Sequence, residues 1–197
     1  MADLETNPTQ DASGPNRPLQ PSPWVERFYS GIKGNGQVLD VACGAGRHFP
    51  LGLASGKTIT GIDRDLAKAR QFSGSLNLLL IEADLEDGSP VPLRGNRYDG
   101  VIVTNYLWRP ILPEIVAAVA DDGLLIYETF GVGQEKYGRP SNPDFLLQPG
   151  ELIAAASGRL SVVAYEHMTL RHPERVVQRI AAVGPQHRWA GTEPASV

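Results

Sequence analysis

Three aspartates stand in or just after short apolar runs: Asp40 in Val38-Leu39-Asp40-Val41, Asp63 after Ile59-Thr60-Gly61-Ile62, and Asp84 beyond Leu78-Leu79-Leu80-Ile81-Glu82-Ala83. Such runs read as buried strands, and acids at the carboxyl ends of parallel strands stand on the ligand side of an open sheet. Asp40 leads into Gly44 and Gly46, a tight turn before a predicted helix over 47–54. Strand, glycine turn and helix N-terminus bring backbone N–H groups up to a ligand. Asp63 follows Asp40 by 23 residues, close to the usual spacing for an acid that holds a ribose hydroxyl pair; the alternative is a solvated or capping acid. Asp84 suits an adenine amino group, with Leu85 against the ring, or else a solvated turn.

The same stretch argues against a dinucleotide. The third glycine position of the G-x-G-x-x-G fingerprint is Phe49. A carboxylate at Asp40 repels a pyrophosphate and attracts an ammonium or sulfonium, and S-adenosylmethionine (SAM) carries both of those charges. An NAD(P)-dependent oxidoreductase is disfavoured on both counts.

Other side chains are candidates for the reaction itself. His48 and Tyr106 are nearest by position to act as a base, with a capping or core role the alternative for His48. Arg109 suits either an anionic substrate group or a surface ion pair. Glu128 ends a predicted fifth strand and either faces the pocket or pairs with Arg139. Residues 131–149 form a long connection carrying Tyr137 and Arg139, read as a cover over the substrate pocket. Trp24, Arg27 and Phe28 either line the pocket or pack a helix on the sheet edge. The histidines and the lone Cys43 show no metal-ligand spacing, so no metal is expected, and Cys43 has no adjacent base to make it a nucleophile.

The elements that must position these residues follow from periodicity. Ser22-Pro23 is an N-cap followed by proline at the first helical position, opening a helix over Trp24 to Ile32. Strands are predicted over Val38–Val41, Lys57–Asp63, Leu78–Glu82, Tyr98–Thr104 and Leu124–Phe130, with helices over Leu66–Phe72 and Pro113–Ala120 and a turn at Asp121-Asp122-Gly123. The alternation implies a parallel sheet with helices on both faces. A helix ending at Ala156 and two strand-like runs, Leu160–Leu170 and Val176–Val183, close the sheet as an antiparallel pair.

Length and composition set the frame. The chain has 197 residues, enough for one substantial core, and 42% hydrophobic and 20% charged residues are ordinary for a globular domain. A net charge of −4 without a basic block points away from nucleic acid, and the absence of a long apolar run points away from a membrane. One cysteine and no apolar signal core make the cytoplasm the expected location. Residues 1–23 and 185–197 are expected to be flexible tails around a domain at 24–184, which is either a monomer or a homodimer.

Taken together, residues 36 to 183 resemble a class I SAM-dependent methyltransferase: the Asp40–Gly46 loop, Asp63, Asp84-Leu85, Asp99 to Tyr106 and the terminal antiparallel pair. Within that class, Glu128-Thr129-Phe130, the run from Gly138 to Leu147 and Pro149-Gly150-Glu151-Leu152 are similar to small bacterial tellurite-resistance-type methyltransferases. The resemblance implies an α/β Rossmann-like sheet of seven strands in the order 3-2-1-4-5-7-6, last strand antiparallel. It also implies SAM as cofactor and methyl transfer, with a small molecule as the expected acceptor. Asp40, Ala42, Gly44 and Gly46 would surround the methionine part; Ala42 departs from the glycine that many relatives carry there. Asp63 and Arg64 would hold the ribose and flank the adenine, and Asp84 and Leu85 would take its edge. Asn105 would sit near the methyl donor, its carbonyl facing the ammonium. The alternative is a non-catalytic SAM- or nucleoside-binding protein acting as a sensor or partner subunit.

Overall fold

β1 (Gln37–Val41) is the central strand that the apolar run demands, buried on both faces between β2 (Thr58–Asp63) and β4 (Tyr98–Thr104). The structure, a computed structural model, describes residues 19–93 and 95–191. Outward from β2 lies β3 (Leu78–Glu82); outward from β4 lie β5 (Val119–Phe130), β7 (Arg175–Val183) and β6 (Ser161–Leu170). The seven strands run in the order 3-2-1-4-5-7-6, with β1 to β5 parallel and β7 antiparallel to its neighbours, as the resemblance implies.

Each face of the sheet carries its own apolar cluster. On one, Trp24, Phe28 and Tyr29 of α1 (Pro23–Tyr29) and Phe49 of α2 (Phe49–Leu53) pack with Val38, Ile102 and Ile126. On the other, Ile115 and Val116 of α3 (Leu112–Ala117) and Leu152 of α4 (Glu151–Ala156) pack with Leu39, Val101 and Leu125. The helices are short, and the predicted helix over Leu66–Phe72 is reduced to a 3-10 turn at Ala69–Phe72.

Two stretches differ from the pattern read in the sequence. Helix α3 stops at Ala117, and β5 takes over at Val119, running through Asp121-Asp122-Gly123 across a register shift against β4. Gly123 makes this possible, because a Cβ there would sit 2.7 Å from the Tyr98 carbonyl oxygen. The second stretch is the expected tail. Residues 185–191 pack back on the end of α1: His187 is buried with Nε2 3.0 Å from the Gly31 carbonyl, and the Trp189 ring fills the space a side chain at Gly31 would need. Ser22, placed with the N-terminal tail, is likewise buried. Residues 1–18 and 192–197 of the predicted tails lie outside the described residues. Among the described residues, no helix is long and apolar enough to cross a membrane.

Candidate active site

The carboxyl edge of the sheet is built on strained backbone. Ala42, just past β1, has φ 52°, and Asn105, just past β4, has φ 55°. Left-handed backbone costs a residue with a Cβ about 1–2 kcal/mol. Two such residues at the ends of neighbouring strands mark a crevice the fold holds open against local preference. The strain at Ala42 also accounts for a glycine being the commoner residue in such a turn. Gly46 is needed for a second reason: besides its φ of 75°, a Cβ there would meet the Phe49 ring at 2.5 Å.

On the β2–β3 side of this edge lies an open cleft lined by Ala42, Asp63, Arg64, Ala83, Asp84, Leu85, Glu86 and Tyr106. Asp63 is buried, and its carboxylate is fixed by two backbone donors, Gly44 N–H to Oδ2 at 2.7 Å and Asp65 N–H to Oδ1 at 3.0 Å. A carboxylate has about four lone-pair sites, so capacity remains for hydroxyl donors from the cleft. Asp84 accepts from the Glu86 N–H at 2.9 Å in an Asx turn. The structure thus gathers Ala42, Asp63, Arg64, Asp84, Leu85 and Tyr106 around one space; Ala83 and Glu86 join them, which a search of turn residues after β3 would have found.

Tyr106 is not poised as a base. Burial, then the Glu86, Tyr127 and Asp84 groups, push its phenol well above the ordinary range, so it stays protonated in the cleft. The thiol of Cys43 is pushed up in the same way, first by burial and then by Asp40 and Asp63, which leaves it unreactive.

The remaining candidates lie on the β1–β5 side. Register places Asp40, Asp63 and Glu128 on one face of the sheet, the face that α1 and α2 cover. Asp40 is buried, with its Oδ2 3.3 Å from His48 Nδ1. His48 Nε2 accepts the backbone N–H of Ser22 at 3.3 Å, so its lone pair is occupied and the ring proton sits on Nδ1. Glu128 is held at both oxygens, by the Ser22 hydroxyl at 2.9 Å and by Arg179 at 3.0 Å. Its partner is therefore Arg179, directly across the β5–β7 ladder, and not Arg139. Arg179 also pairs with Glu166 and lies over the Trp24 ring at 4.6 Å. Trp24 is core: it is buried, with its indole N–H on the Ile180 carbonyl. Arg27 is exposed beside Glu166.

Arg109 takes the ion-pair alternative, and the long connection differs from the expected cover. Arg109 forks onto Glu151 at 2.7 and 3.0 Å and donates to the Asp144 and Leu146 carbonyls, so its donors are spent on fastening 144–151. The 131–149 segment is pinned to β7 by Gln134, which accepts from Val176 N–H, and to the end of β5 by Leu147, whose N–H donates to the Phe130 carbonyl. Tyr137 and Arg139 are exposed on its outer side and do not line the cleft. The contributions of Ser22 and Arg179 were not legible as site features; the first reads as a helix cap and the second as one residue of a strand.

No protein-family model matches the chain, and no curated protein matches it by sequence. Solved structures do. TehB from Haemophilus influenzae superposes with a TM-score of 0.61 at 18% identity, over 82% of this chain, which spans 61% of TehB. The 1,6-didemethyltoxoflavin N1-methyltransferase of Burkholderia thailandensis, solved with that small molecule and S-adenosylhomocysteine (SAH), gives 0.60 at 15% identity, over 81% of this chain and 76% of that one. The cyclase SpnF gives 0.59 at 13% identity, over 82% and 78%. These likenesses establish the architecture: the chain has the Rossmann-like fold of SAM-dependent methyltransferases.

Proposed function

We propose that this protein is a SAM-dependent methyltransferase that methylates a small-molecule acceptor by in-line displacement. The observation that carries the proposal is the cleft beside the strained Ala42 turn, where Asp63 and Asp84 offer oriented acceptors to a nucleoside. The chemistry of that donor set suits SAM: carboxylates accept from ribose hydroxyls and an adenine amino group and would repel a phosphorylated nucleotide. Asp63 and Arg64 hold the ribose and flank the base, Asp84 and Leu85 take the adenine edge, and Asp40, Ala42, Gly44, Gly46 and Asn105 surround the methionine part. When bound, SAM supplies a methyl group on a sulfonium with a good leaving group. The protein's share is then alignment and exclusion of water, worth on the order of 7–11 kcal/mol in well-oriented cases. None of His48, Tyr106 and Glu128 is poised as a base: the His48 Nε2 accepts the Ser22 N–H, the Tyr106 phenol stays protonated, and the Glu128 carboxylate is ion-paired with Arg179. Small acceptors are supported by the ligand described for the Burkholderia enzyme.

A second reading, a SAM- or nucleoside-binding protein without turnover, is favoured by the pairing of Glu128 with Arg179 and by the occupied Nε2 of His48, which leave neither placed as a base. Calorimetric titration with SAM and SAH tests the shared premise: micromolar binding of both is expected, and binding of neither would remove both readings. Methyl transfer to any member of a small-acceptor screen then separates enzyme from sensor.

A further inference from the structure

One buried cluster does more than a helix cap requires. Ser22 caps α1 in the ordinary way, its hydroxyl oxygen accepting the Trp24 N–H at 3.2 Å. It is also 3% exposed and committed in two other directions. The hydroxyl proton goes to Glu128 Oε1, a residue 106 positions away, and the backbone N–H goes to His48 Nε2. Because Nε2 accepts, the imidazole presents its Nδ1 proton to Asp40 Oδ2. Among the described residues, His48 is the one side-chain hydrogen-bond partner of that buried carboxylate, so His48 sets where its remaining lone pairs point.

We propose that Ser22 is a positioning residue for the charged end of the ligand: it fixes the His48 tautomer that orients Asp40, while Glu128, braced by Arg179, holds Ser22 in place. This rests on the methyltransferase reading, in which Asp40 faces the ligand's ammonium. The segment ahead of α1 thereby becomes part of the cofactor site without lining the cleft.

The test separates a cap from a positioning residue. Ser22→Ala, Ser22→Asp and Ser22→Thr proteins are titrated with SAH, which carries the ammonium, and with 5′-methylthioadenosine, which lacks it. Aspartate caps a helix as well as serine does, but it sets a second carboxylate against Glu128. The expected result is a loss of about fivefold in SAH affinity for Ser22→Ala, a larger loss for Ser22→Asp, unchanged methylthioadenosine affinity in both, and recovery in Ser22→Thr. If Ser22→Asp binds SAH as the native protein does, Ser22 is a helix cap and the proposal falls. Equal loss of both ligands also overturns it, since that marks general damage to the site. A ligand-independent arm uses the ¹⁵N shifts of the His48 ring: the native protein should carry the proton on Nδ1, and a proton on Nε2 would sink the proposal while leaving the methyltransferase reading intact. Native protein that binds neither ligand removes that reading, whatever the His48 shifts report.

Discussion

The two halves of the carboxyl edge are made differently. On the β2–β3 half, acids are fixed by nearby backbone: Asp63 takes N–H groups 19 and 2 residues away, Asp84 one 2 residues away, and the cleft stays open. On the β1–β5 half, Glu128 is held from 106 and 51 residues away and His48 from 26, and the chain closes over the result. The open half is preformed for a ligand by turns at the ends of adjacent strands. The closed half exists only when distant segments meet.

That contrast can be broken at several points. Arg179→Ala should have the largest effect, because it leaves the buried Glu128 without its cation; a loss of stability on the order of 3 kcal/mol is expected in denaturant unfolding. A loss under about 1 kcal/mol would mean that packing, not charge, holds the closed half. Next, Asp63→Ala should weaken SAH and methylthioadenosine alike, by at least about tenfold, or about 1.4 kcal/mol. Unequal loss would place Asp63 with the charged end of the ligand and erase its difference from Ser22. The smallest effect is expected for Arg139→Ala, on the exposed side of the pinned segment: stability within about 0.5 kcal/mol of native and SAH affinity unchanged. A change in SAH affinity there would show that the 131–149 segment closes over the cofactor cleft after all.

Legibility in the sequence follows the same division. Asp63 and Asp84 are readable because a strand's end is local information: an apolar run stops and an acid follows. Arg109 was legible only as two alternatives, substrate clamp or ion pair, because the partner that decides between them, Glu151, is 42 residues on. The pairing of Glu128 with Arg179 needed the register of β5 on β7, which no periodicity fixes, although aligning Phe130 with Val177 would have given it. The start of β5 was hidden because the apolar spacing of α3 continues through Val119 and Ala120, and only the close approach of Gly123 to the β4 backbone turns those residues into a strand. At the C-terminal end, His187 and Trp189 were the signal that residues 185–191 have something to pack against.

The docking of α1 also sets an order of events during synthesis. Trp24 bonds to Ile180, and Gly31 to His187, partners 156 residues later in each case. At ribosomal speeds of about 5–20 residues per second, the helix emerges roughly 8 to 30 s before these two partners. For that interval the apolar side chains of Trp24, Val25, Phe28 and Tyr29 lack these late partners, which leaves α1 open to chaperones and to aggregation on the nascent chain.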